Sequence, residues 1–188
     1  IARGNRGLQL DQVVFWHREH DGQRGESGKQ FSAGQNADRW AAFNGMIFEN
    51  LLAQIEDHEL FSPEEWNATP QQEQPRLARI ARGTVQGRQR MWRKALDSYQ
   101  AAAATSDASL SDMERALARQ ATLASLGTPE LIADPDLRAR VRSLGKAGPV
   151  GAELRSILRR SMRWQLKAAV KDRSLSRTTE LLRYFATT

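Results

Sequence analysis

Apolar residues recur every three or four positions along most of the chain beyond residue 37, the period of helices with one buried face. Between Asp38 and Leu60 the repeat is Trp40, Phe43, Ile47, Phe48, Leu51, Leu52 and Ile55, the segment richest in aromatic core candidates. From Pro75 to Ala104 the pattern predicts one long helix with two opposed faces. At about 100° per residue, Leu77, Ile80, Ala81, Thr84, Met91, Trp92, Ala95 and Tyr99 share one side. Arg76, Arg79, Arg82, Arg90, Arg93 and Lys94 share the other. A second long helix, from about Ala152 to Arg173, repeats the design. Arg155, Arg159, Arg160, Arg163, Lys167 and Lys171 form its polar face, and Leu154, Ile157, Leu158, Met162, Trp164 and Ala168 lie mostly opposite.

Start and stop signals divide the remainder. Ser62-Pro63-Glu64-Glu65 and Ser111 with Glu114 read as capping boxes, in which the cap hydroxyl and the carboxylate three residues on exchange hydrogen bonds with each other's backbone. Thr69-Pro70, Thr128-Pro129 and Asp134-Pro135 place proline where a first helical turn tolerates it. Gly127 and Gly145 read as stops, Lys146 to Gly151 as a turn, and Ser176 as the cap of a last helix carrying Leu181, Leu182 and Phe185. The acidic run Glu56-Asp57-His58-Glu59 ends a helix where the dipole favours cations, which predicts a basic partner nearby.

Residues 1–37 differ. Ile1 to Gly7 read as an arm, and Leu8 to His20 as a short helix, although Val13-Val14-Phe15-Trp16 would also suit a strand. Asp21 to Ala37 is a Gly-rich, polar stretch with neither period, hence a flexible loop. Together these features predict an all-α fold: a multi-helix bundle of about seven to nine helices over 38–188, preceded by a Gly-rich N-terminal arm and loop over 1–37.

Charge sharpens this picture. The chain carries 28 Lys+Arg against 22 Asp+Glu, a net +6. Up to Pro75 the balance is six against twelve; from Arg76 onward it is 22 against ten. An acidic 40–75 segment therefore precedes a basic 76–188 segment. Twenty-three of the basic residues are Arg, whose planar fork matches phosphate and carboxylate alike. Two Arg-rich helix faces suit a phosphate backbone, so the chain is expected to bind DNA or RNA without enzymatic activity. The contacts expected are Arg76, Arg79, Arg82, Arg90 and Arg93 with Arg155, Arg159, Arg163 and Lys167. The competing expectation is a structural or assembly subunit whose acidic and basic halves pair with each other or with other subunits. Opposite patches on one protomer favour homo-oligomers or larger complexes.

Other chemistry is thin. Cysteine is absent, which removes disulfides and thiolate sites. His17 and His20, with Asp21 or His58, could be drawn as a metal site, but no specific ligand spacing supports it, and no cofactor is expected. Gly22 to Gln30 has glycines, yet the spacing is too short for a phosphate loop and Gln30 stands where Ser or Thr is needed. A helix-turn-helix with its turn at Gly83 and Val85–Leu96 as reading helix fits poorly. Trp40, Trp66, Trp92, Trp164 and Tyr184 could stack on bases, but helical apolar faces make core packing the expectation for most of them. No stretch approaches the roughly 18 apolar residues of a membrane span, and no signal peptide is visible. The expected location is cytoplasmic, or within a nucleoprotein particle; a chain beginning at Ile1 leaves room for a preceding leader or domain.

Overall fold

The computed structural model describes residues 37–122 and 128–188. The arm, the short helix and the glycine-rich loop predicted before residue 37 lie outside the described residues, as do His17 and His20. Within them the protein is an all-α bundle: α1 (Ala37–Gln54), α2 (Pro63–Ala68), α3 (Gln74–Arg88), α4 (Trp92–Ala103), α5 (Asp112–Gln120), α6 (Thr128–Ala133), α7 (Pro135–Leu144), α8 (Gly148–Lys171) and α9 (Leu175–Thr187). One 3₁₀ turn, Asp57–Leu60, joins α1 to α2. No strand occurs among the described residues.

The predicted helix over Pro75–Ala104 is two helices. α3 ends at Arg88, and the chain turns through Gln89, Arg90 and Met91 before α4 begins. Arg90 adopts a left-handed conformation, φ 63°. Its N–H donates to the Gly87 carbonyl and the Met91 N–H donates to the Gln86 carbonyl, the paired bonds of a Schellman stop. The turn therefore lies at 89–91, and Gly83 sits inside α3. Its missing side chain lets α4 approach: a Cβ there would stand 2.7 Å from Cε1 of Tyr99.

α3 and α4 pack as an antiparallel pair against α5, α7 and α8. The shared core holds Ile80, Trp92, Leu96, Tyr99, Leu110, Leu131, Val141, Leu144, Leu154, Leu158, Met162, Leu181 and Tyr184. Inside it the Thr84 hydroxyl lies 3.2 Å from that of Tyr99 and within bonding distance of the Ile80 and Leu117 carbonyls. Burial pushes the Tyr99 hydroxyl well above its ordinary pKa.

Local signals set several boundaries. Ser62 with Glu65 and Ser111 with Glu114 form the predicted capping boxes. Hydrogen bonds from Ser62 hold the Glu65 carboxyl below its usual range. Asp134 caps α7 by accepting from the Asp136 and Leu137 N–H groups, and α7 stops before Gly145. Others shift. Thr69-Pro70 opens only a turn, and α3 begins at Gln74 with Pro75 in its first turn. α8 starts inside the predicted turn, at Gly148, and α9 starts at Leu175 with Ser174 as its cap.

α1 differs most from its pattern. Leu52 and Ile55 are buried, whereas Phe43, Met46 and Ile47 are exposed. The basic partner expected at its acidic end is Arg82 of α3. Arg82 donates to the Leu52 carbonyl at 2.6 Å, to the Ile55 carbonyl at 2.9 Å and to Asp57 at 2.8 Å, closing the C-terminal end of α1. No helix among the described residues is long and apolar enough to cross a membrane.

Candidate nucleic-acid interface

The two basic faces read from the sequence have different fates. Around α3 and α4 most of the cations are engaged; Arg88, in the last turn of α3, is exposed and has no ion pair among the described residues. Arg76 is 2% exposed and forms a two-pronged pair with Glu114, itself 1% exposed: Nε to Oε1 at 2.7 Å and Nη2 to Oε2 at 2.9 Å. Its remaining donors reach the Ala108 and Ser109 carbonyls. Arg79 donates to the Thr105 hydroxyl, and Arg82 is held as described above. Arg90 pairs with Glu130, Lys94 with Glu49, and Arg93 with Asp134 and Asp136. Arg140 adds bonds to Asp136 and Asp97. Arg93 remains largely exposed, with Asp134 and Asp136 beside it. Arg76, Arg79, Arg82, Arg90 and Arg93, five of the expected phosphate contacts, thus each bond to another residue of the fold.

On α8 the picture reverses. Arg160, Arg163, Lys167 and Lys171 are exposed, and none has an ion-pair partner among the described residues. Residues 152–188 carry nine Lys+Arg and three Asp+Glu, +6. One of those acids, Glu153, is committed elsewhere: it accepts from Arg115 of α5 at 2.5 Å and from the Leu110 N–H. The Arg115 guanidinium holds its carboxyl below the usual range.

Trp164 stands among these cations. It is 74% exposed, although its place in the apolar pattern had suggested a core residue. Of the other stacking candidates, Trp92 and Tyr184 are buried in the core, and Trp66 is half-buried against Phe61, ring centroids 5.5 Å apart. The side chain of Trp40 lies outside the description. Spacing alone carried the missed signal: Trp164 is four residues after Arg160, three before Lys167 and seven before Lys171, hence on one stripe with them.

Arg155 and Arg159 occupy the flank of this stripe and are half-buried. The stem of Arg155 lies across Gly145, where any Cβ would collide with its Cδ. Arg159 donates to the Phe185 carbonyl at 3.1 Å, and its guanidinium carbon stands 5.6 Å from the centre of the Phe185 ring. With Ala152, Ser156 and Arg163 they line a groove of about 90 Å³ along α8. Burial pushes the neighbouring Tyr184 hydroxyl up to about 12, opposed in part by Thr188 and by the charges of Arg159 and Arg155.

No group of three or more His, Asp or Glu residues able to hold a metal occurs among the described residues. The chain matches no family model, no curated protein and no solved structure.

Proposed function

We propose that the protein is a non-enzymatic nucleic-acid-binding subunit that grips the phosphate backbone through α8, favours single strands, and works within an oligomeric nucleoprotein assembly. One observation carries this reading: an exposed Trp164 on the same stripe as Arg160, Lys167 and Lys171, which have no ion-pair partner among the described residues. Cations that have no carboxylate partner exchange bound counterions for phosphates, which supplies affinity without reading sequence. An exposed indole between them offers a base a stacking surface of the kind single-strand binders use. Relative to the expectation from sequence, the contact set contracts to Arg155, Arg159, Arg163 and Lys167 and gains Arg160, Lys171 and Trp164.

The test is fluorescence anisotropy of labelled single- and double-stranded DNA and RNA across a salt series. Neutralising about six phosphates of a single strand, one for each of these cations, predicts a log–log slope near −4. Trp164→Ala is expected to weaken single-strand binding by about 1–3 kcal/mol and duplex binding by less. No binding at about 50 mM salt overturns the proposal.

A second reading, an assembly subunit without nucleic acid, draws on the exposed Met46 and Ile47 of α1, within the acidic 40–75 segment. It predicts that Lys167→Glu changes the oligomeric state in sedimentation rather than retention by a polyanion.

A further inference from the structure

We infer that the groove along α8 at Arg155, Arg159 and Arg163 is a discrete oxyanion site that seats a single phosphate group. Three guanidinium groups recur there at successive four-residue steps, on one line of the helix. The Nε atoms of Arg155 and Arg159 are buried and have no hydrogen-bond partner among the described residues. Buried polar groups are nearly always paired, so two such donors one helical turn apart need an explanation. The two Nε atoms can only donate, so one acceptor-rich ligand would satisfy both.

No carboxylate among the described residues supplies that acceptor. Glu153, the one acid of α8, is turned to Arg115 and the Leu110 N–H. A tetrahedral dianion presents several acceptor oxygens at once, and the guanidinium fork matches it in two-pronged geometry. The groove, about 90 Å³, holds one such ion but no nucleobase with its sugar. Its walls are also fixed before binding. Arg155 is laid over Gly145, and Arg159 is tied to the carbonyl and ring of Phe185 on α9. Fixed donors lose little side-chain entropy when the anion arrives. The exposed lysines of the neighbouring stripe have no comparable anchoring.

The inference stands apart from the nucleic-acid reading, because the same phosphate chemistry can come from a free phosphate ester or from a strand. The experiment is a titration of the folded protein with inorganic phosphate at constant ionic strength, chloride making up the balance. The Arg Nε–Hε signals are followed by ¹⁵N correlation spectra. Two of these signals are expected to shift saturably, to be missing in Arg155→Lys and Arg159→Lys, and to stay responsive in Trp164→Ala. Arg159→Lys should weaken phosphate binding about tenfold, the loss of one hydrogen bond to a charged group.

Further arms use a nucleoside 5′-monophosphate and a short oligonucleotide without terminal phosphates. Whichever moves the same two signals at lower concentration identifies the source of the phosphate. A linear, unsaturated drift, an equal response to chloride, or an unchanged response in both lysine variants overturns the inference. Saturable phosphate binding in a protein that retains no oligonucleotide would sink the nucleic-acid reading and leave this one standing.

Discussion

At the scale of single residues, Arg76 and Glu114 show why a basic stripe on a helical wheel is not yet a surface. Glu114 closes the cap of α5 by accepting from the Ser111 N–H at 2.7 Å and, with the same carboxylate, neutralises Arg76. The capping box was legible because its three-residue spacing is local. The pair with Arg76 was not, because it spans 38 positions of sequence. Removing one partner of a buried pair strands the other, so Glu114→Gln is expected to cost about 3–5 kcal/mol in thermal or urea unfolding. Replacing both, Arg76→Met with Glu114→Leu, should recover most of that loss; a double variant as unstable as the single one would mean that the cap, not the stranded charge, dominates. Two other arginines hid helix ends. Arg90 and Arg173 occupy left-handed positions, φ 63° and 54°, where glycine usually marks the stop. After α8 the bonds are those of the α3 stop: Arg173 N–H to Val170 O and Ser174 N–H to Ala169 O. An apolar period running through 91–99 in phase with 77–84 concealed the break at Arg90 because no glycine announced it.

At the scale of elements, helix identity was readable and helix orientation was not. Caps, prolines and the 3.6-residue period are local, and they located most of the helices. Which side of α1 or α8 meets the core depends on how the bundle closes. Phe43 and Ile47 on α1 and Trp164 on α8 carry core-like spacing yet remain exposed, because the elements that α1 and α8 pack against do not cover those positions. The closure itself rests on small residues at crossings. Gly83 lies under the Tyr99 ring, and an added Cβ would also come within 2.9 Å of Cδ1 and 3.1 Å of the Ala95 carbonyl. Gly83→Ala is therefore expected to cost about 1–3 kcal/mol through forced separation of α3 and α4, measured by denaturant unfolding. Gly45→Ala in α1 is the control. There the nearest atom is Cγ of Met91 at 3.8 Å, an ordinary contact, and helix propensity should bring a gain of up to about 1 kcal/mol. Equal losses at both positions would mean that flexibility of the glycines, and not the close crossing, is what the fold requires.

At the scale of the whole molecule, the charge that matters is the charge left over after folding. Residues 152–188 hold +6 and the whole chain is +6; residues 1–151 carry nineteen Lys+Arg and nineteen Asp+Glu and so sum to zero. The pairs on α3 and α4 are the structural form of that cancellation within the described residues, with Asp57, Glu49, Glu114, Glu130, Asp134 and Asp136 each taking a basic partner. The division predicts that stability and binding separate by helix. Arg82→Glu would lose the three bonds that close α1, costing about 2 kcal/mol in the melt, while the salt dependence of oligonucleotide binding stays as in the parent. Arg160→Glu with Lys167→Glu should leave the melt within about 0.5 kcal/mol, since both side chains are exposed and unpaired. The same double change should flatten the log–log slope on a single strand by about 1.4, two phosphate contacts' worth. If Arg82→Glu instead flattened the slope and spared the melt, the phosphate track would run over α3, and the ion pairs there would have to open for a strand. The proposed division of labour between a neutral scaffold and a charged α8 would then be wrong at its foundation, because the same arginines cannot both close α1 and be free for phosphate.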